Sequence, residues 1–192
     1  MSALSNESAP VSTASHYDAV QRALHWLMAA IILVAIAIGF YCSAYLQPGT
    51  PVRMALLDIH KSLGMTALVL VVIRILYRLA VGAPRYSQAL GKLNHLAAGA
   101  AHFLLYGLML GMPLSGYLYS AAGGHSVPWF GLFDWPVLVP RDQPLSMWGR
   151  FFHHWGADII YVVLGVHLLA VAWHQFVKKD DVLARMLPPS RR

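Results

Sequence analysis

Four stretches of this chain are too long and too apolar to sit comfortably in a water-soluble domain. Residues 24–46 form a run of 23 without a formal charge, residues 96–122 a run of 27, and residues 159–177 a run of 19. A fourth stretch, 56–81, is apolar apart from Asp58, Lys61 and Arg78 towards its ends and Arg74 inside it. A helix needs about 20 apolar residues to cross the roughly 30 Å hydrocarbon core of a bilayer. Composition points the same way, with 58% hydrophobic and 11% charged residues, where a soluble domain carries about 25% charge. A soluble enzyme with a polar surface is excluded, and so is disorder over most of the length. No run alternates with period two, and backbone groups in hydrocarbon must be satisfied within their own segment. The expected architecture is therefore all-α, an integral membrane four-helix bundle with spans at about 20–46, 56–81, 96–122 and 150–177.

Cations set the expected orientation. With four spans both termini share a side, and that side collects Arg22, Arg74, Arg78, Arg85, Lys92, Lys178, Lys179, Arg185, Arg191 and Arg192. The other side has Arg53, Lys61, Arg141 and Arg150. Both termini are expected to be cytoplasmic, which leaves the connection over 121–150 outside. Its Trp129, Trp135 and Trp148 suit a belt at headgroup level. Residues 1–16 read as a flexible polar tail, 17–188 as one transmembrane domain, and 189–192 as a basic C-terminal tail. With no small-residue cleavage site after a short apolar core, the first span reads as a retained anchor. Pro113 should kink the third. The net charge of +6 would suggest nucleic acid in a soluble chain, but here the cations flank apolar runs and no nucleic-acid partner is expected. Cys42, the single cysteine, forms neither an internal disulfide nor a thiolate metal site.

Of ten histidines, His25, His60, His102, His153, His154, His167 and His174 lie in or at the edges of the spans. An ionisable group in hydrocarbon is costly and marks function by default. For any one of them alone, a hydrogen bond to a neighbouring helix is a sufficient explanation; their spacing adds more. At about 100° per residue, His153 and His167 fall within about 40° of one face and about 21 Å apart along the fourth helix, while His154 points away. Span direction then matches depths: His25 with His167 near the inner side, His60 with His153 near the outer. Two opposed imidazoles bind a haem iron axially and leave no open position, which suits electron transfer. Two haems roughly 20 Å apart by the helical rise would pass electrons across the membrane.

Haem propionates need cations. Arg74 and Arg78 stand 14 and 18 residues after His60, both close to its face, and are expected to hold the inner propionates. Snorkelling towards headgroups is the competing role for Arg78. Lys61 and Arg150 offer the same contact at the outer level, where solvation is at least as good an explanation. No CxxCH, HExxH, phosphate loop or GxSxG elbow is present.

RALHWLM, DIHKSLGMTALVLVVIRILYRL, AHFLLYGLMLGMPLSGY and GADIIYVVLGVHLLAVAWH, followed by KKDDVLARMLP, resemble the bacterial cytochrome b561 family from about residue 17 to residue 188. The resemblance implies a four-helix, di-haem b protein of the bacterial inner membrane that exchanges electrons with ubiquinone. The family's axial iron ligands fall on His25, His60, His153 and His167. Some members oxidise superoxide on the periplasmic side, so the expected function is electron transfer between a periplasmic donor, superoxide among the candidates, and the ubiquinone pool. The alternative is a haem b anchor subunit serving a hydrogenase or dehydrogenase. A metal-ion transporter would want carboxylates deep in the spans, and only Asp58 and Asp158 come near. His102 matches a family position without an assigned role, His95 and His174 read as solvated edge residues, and His125 with the loop around Trp129 is a candidate lining for an outer donor site.

Overall fold

The computed structural model describes residues 16–82, 84 and 92–188, with residues 92–95 described by backbone alone. Residues 1–15 and 189–192 of the expected tails, Arg85, and the side chains of Lys92 and His95 lie outside the described residues.

Four long helices carry the chain: α1 (Ala19–Ala44), α2 (Pro51–Val81), α3 (Lys92–Ala122) and α4 (Gln143–Trp173). Each is long and apolar enough to cross a membrane. Their starts follow capping rather than hydropathy. Asp18 caps α1, its Oδ1 accepting from the Gln21 N–H at 2.9 Å, and Asp142 caps α4 by accepting from the Leu145 N–H at 2.8 Å. Proline in the first turn, where its missing N–H costs nothing, starts both α2 and α4. This is why α2 and α4 begin at Pro51 and Gln143, ahead of the apolar runs that announce them: hydropathy measures the part in hydrocarbon, and the caps lie outside it. Gly82, at φ 83°, ends α2 in a left-handed conformation that a side chain would strain. α3 runs on through Pro113 without a break in the helix.

The bundle is inverted relative to a soluble one. Leu79, Phe103 and Leu169 are each more than 70% exposed, as helices facing lipid require. α1 packs chiefly on α2, and α3 chiefly on α4. The α3–α4 seam is close because α4 presents glycines: a Cβ at Gly149 would sit 2.5 Å from the Tyr119 backbone nitrogen, and one at Gly156 would collide with the Met112 sulfur. Ser146 Oγ, on the same face of α4 and about one turn before Gly149, donates to the Tyr119 carbonyl at 2.9 Å.

At one end, hereafter the hairpin end, the α3–α4 connection folds back over α2. Pro128–Trp129 and Phe133–Asp134 pair as a short antiparallel hairpin, too brief to leave a period-two signal in sequence. Lys61 Nζ donates to the Ser126 carbonyl at 3.0 Å. Ser62 Oγ accepts from the Phe130 N–H at 2.9 Å, with the Asp58 and Pro128 carbonyls as acceptors for its proton. At the opposite, termini end, the Tyr17 N–H donates to the Arg185 carbonyl and Trp26 Nε1 donates to the Met186 carbonyl at 2.8 Å. A π-helical turn, His174–Lys178, and a 3-10 turn, Ala184–Met186, fold the C-terminal segment against the start of α1.

Candidate functional site

The helices bring His60 of α2 and His153 of α4 ring to ring at the hairpin end, centroids 5.9 Å apart and planes at 89°. Each ring is locked by a backbone carbonyl on a third or fourth helix. His60 Nδ1 lies 2.9 Å from the Ala35 carbonyl of α1, and His153 Nδ1 lies 3.0 Å from the Met112 carbonyl of α3. A carbonyl only accepts, so the partner assigns the proton to Nδ1 in both rings and leaves Nε2 as the lone-pair nitrogen. The same local device supports both contacts. A glycine follows each carbonyl by four residues, Gly39 after Ala35 and Gly116 after Met112, and a Cβ at either would lie 3.0 Å from the facing imidazole. A side chain at either glycine would press the ring back by a few tenths of an ångström, away from its carbonyl. Ser115 Oγ adds a contact to His153 Nδ1 at 3.3 Å.

At the termini end the histidines gather as three. His102 of α3 faces His167 of α4 with centroids 5.7 Å apart and planes at 71°. His25 of α1 lies in the field of Arg74, His167 and His102. The ring directly against His167 is therefore that of His102, to which helical spacing assigns no role. Arg74 Nε donates to the Tyr106 hydroxyl at 3.0 Å and Nη1 to the Gln21 carbonyl at 3.0 Å, so it spans from α2 to both α1 and α3. Arg74 and Arg78 both act electrostatically on His102, which puts their charge at this level of the bundle.

Among the described residues, no three imidazole, thiolate or carboxylate groups converge as a metal cage. A facing imidazole pair with Nδ1 engaged and Nε2 free fits an iron whose other positions a porphyrin fills. Gly64, one turn after His60 and close to its face, has nothing within 4 Å of where a side chain would begin, which suits the close approach of a flat macrocycle.

Other expected residues fall elsewhere. Trp129 is not a free headgroup anchor: its indole donates to Thr66 Oγ1 at 3.0 Å and packs against Phe130 and Phe133. Trp135 is half-buried with its Nε1 enclosed. Trp148 alone of the three stands exposed, stacked with Phe152 on the lipid face of α4. Indole amphipathicity cannot tell a lipid interface from a protein hydroxyl, and the loop's fold supplied the hydroxyl. His174 is not simply solvated but pairs through Nδ1 with Asp180 Oδ2. His125 and His154 are exposed, and His154 lies within electrostatic reach of His153 without joining the ring pair. Arg53, placed with the outer cations, donates to the Cys42 carbonyl and so secures the end of α1.

Four membrane helices with imidazoles gathered at two depths are what a membrane cytochrome of the b type requires. The family model described as prokaryotic cytochrome b561 matches residues 16–189, and the chain belongs to that family. It is 31% identical over 179 residues to cytochrome b561 homolog 2 of Escherichia coli K12, covering 93% of this chain and 95% of that one. It is 30% identical to the probable superoxide oxidase CybB of Yersinia pestis, over 91% of this chain and 97% of that protein, and 29% identical to cytochrome b562 of Cereibacter sphaeroides, over 90% and 96%. It is thus a multi-pass protein of the bacterial inner membrane that binds b-type haem and serves electron transfer.

Proposed function

We propose that this chain moves electrons across the membrane through two b-type haems, from a donor at the outer face to the ubiquinone pool. His60 and His153 hold the outer haem, and His25 and His167 hold the inner one. Both termini then face the cytoplasm, and the hairpin end is periplasmic. The observation that carries this reading is the two-level arrangement: a facing pair at one depth, and a histidine cluster at the other, about 21 Å away along α4. A haem iron held between two imidazoles exchanges one electron and offers no open position to a substrate. The protein's part is to fix the rings, keep water away from them, and place cations. Arg74 and Arg78 supply the charge that inner propionates require.

Superoxide is the donor we favour. Lys61 follows the outer ligand His60 directly; its side chain is 23% exposed, and its ammonium reaches the loop carbonyl of Ser126 and lies 3.6 Å from the Asp58 carboxylate. Arg141 and Arg150 add positive charge at the same end. Such a field raises the encounter rate of a small anion and weakens with salt. The name of the Yersinia pestis relative supports the same choice.

The purified holoprotein should be reduced by superoxide and, with a soluble ubiquinone analogue, should turn over. Lys61→Gln should slow the superoxide step several-fold and flatten its salt dependence. No effect of the protein on superoxide decay would overturn the donor assignment. Reduction seen only with a co-purifying soluble subunit would favour the anchor-subunit alternative.

A further inference from the structure

The π-helical turn at the end of α4 holds a titratable pair that neither histidine level uses. His174 Nδ1 and Asp180 Oδ2 are in direct contact, and their side chains are 18% and 27% exposed, whereas Phe176, Val177, Lys178 and Lys179 between them are exposed. The backbone is bent to bring the two together. Lys179 takes a left-handed conformation at φ 53°, which strains a residue that has a side chain, and π turns are frequent at functional sites. The Lys179 and Asp180 N–H groups both donate to the His174 carbonyl, and Asp180 Oδ1 accepts from the Val182 N–H at 3.3 Å. A carboxylate only accepts, so Nδ1 carries the proton, and Nε2 is left to take up or release a second. Position matters as well. His174 stands seven residues after His167, about 20° short of two full turns and about 10 Å further along the axis. The segment carrying Asp180 runs on to Met186, whose carbonyl accepts from Trp26 Nε1, and the Trp26 ring stands edge-on to His25 with centroids 5.2 Å apart. The pair thus lies at the rim of the inner histidine level, where the bundle meets water.

Resting on the quinone reading above, we infer that His174, held by Asp180, hands a bound quinone the protons that its reduction draws from water at the termini end. A quinone becomes a quinol by taking up two electrons and two protons. The electrons come one at a time from the donor at the hairpin end, which is oxidised, and that path carries no protons. His174 gives its Nε2 proton to a quinone oxygen: one N–H bond breaks as one O–H bond forms, and water restores the proton before the second transfer. Asp180 is the positioning residue. It fixes the orientation of the ring and stabilises the charge that the ring carries between taking up a proton and passing it on. The imidazoles assigned to iron are unsuited to this task, since the metal would occupy their Nε2.

Stopped-flow reoxidation of the reduced, purified holoprotein tests it, with haem per chain counted for each variant. Two acceptors are compared: a soluble ubiquinone analogue, which must be protonated, and ferricyanide, which takes an electron alone. Reoxidation of the unaltered protein by the quinone should be slower in deuterium oxide. His174→Gln should slow the quinone reaction about tenfold or more, at unchanged haem content and with the ferricyanide rate intact. Asp180→Asn, which keeps the shape of the side chain, should slow it several-fold, and Asp180→Glu should restore most of the rate. Quinone rates and isotope effects in both His174→Gln and Asp180→Asn that match the unaltered protein overturn the inference. Equal slowing with both acceptors, or loss of haem in Asp180→Asn, makes the pair a structural clasp and overturns it too. If ferricyanide oxidises the unaltered protein and the quinone does not, the quinone reading itself has failed, and the proton path falls with it for a distinguishable reason.

Discussion

Replacing His60 or His153 with alanine is expected to remove one haem and spare the other, halving the haem content. The two residues share one position, ring to ring at 5.9 Å, so either substitution should cost the same absorption component. His25→Ala and His167→Ala should remove the other component together. The termini end makes this second pair the sharper test, because His102 rather than His25 packs directly against His167. His102→Ala should retain both haems if His25 is the ligand. Loss of the inner haem in His102→Ala, with retention in His25→Ala, would transfer the ligand role from α1 to α3. Pyridine haemochrome spectra and protein assay give the count directly, and a pair of variants losing different components would refute the pairing.

Gly149→Val is expected to be the most damaging substitution away from the histidines. Its Cβ would lie 2.5 Å from the Tyr119 nitrogen and 3.0 Å from the Ser115 carbonyl, both backbone atoms that cannot swing aside. Overpacking typically costs about 1–3 kcal/mol, and a clash with fixed backbone belongs at the upper end or beyond. Separating α3 from α4 also moves His153 from the Met112 carbonyl. The thermal midpoint for loss of the haem absorption band should fall markedly. Gly107→Ala is the matching control: nothing lies within 4 Å of its position, and alanine is a better helix former than glycine by roughly 0.5–1 kcal/mol. An unchanged midpoint for Gly149→Val would refute the close seam.

Much of this architecture is legible because hydrocarbon is an exacting solvent. Charge-free runs of sufficient length leave little choice but helices, and the 14-residue step from His153 to His167 places both on one stripe by helical geometry alone. Arg74 is readable for the same reason, as an interior cation that needs a partner. What stays hidden depends on helices meeting. Gly39 and Gly116 look like ordinary small residues in apolar runs, and only the arrival of His60 and His153 from other helices gives them their task. A signal is available in principle, since each glycine follows by four residues a carbonyl placed at the depth of a histidine, but reading it requires knowing which helices are neighbours. His102 is ambiguous because nothing else on α3 fixes which face it shares. The Trp129–Thr66 hydrogen bond stays hidden because a two-residue strand pair leaves no trace from which to infer the loop's return onto α2.

The pairing of α1 with α2 and of α3 with α4 bears on biogenesis. Each helical pair can enter the bilayer as a self-contained unit, since its main packing partner is its neighbour in the chain. The imidazoles behave otherwise: His60 meets His153 across the two units, and His25 feels His167 across the same divide. On the proposed ligand assignment, a porphyrin held between those rings would tie the α1–α2 pair to the α3–α4 pair, so loss of haem is expected to loosen the contact between the two pairs more than the packing within either.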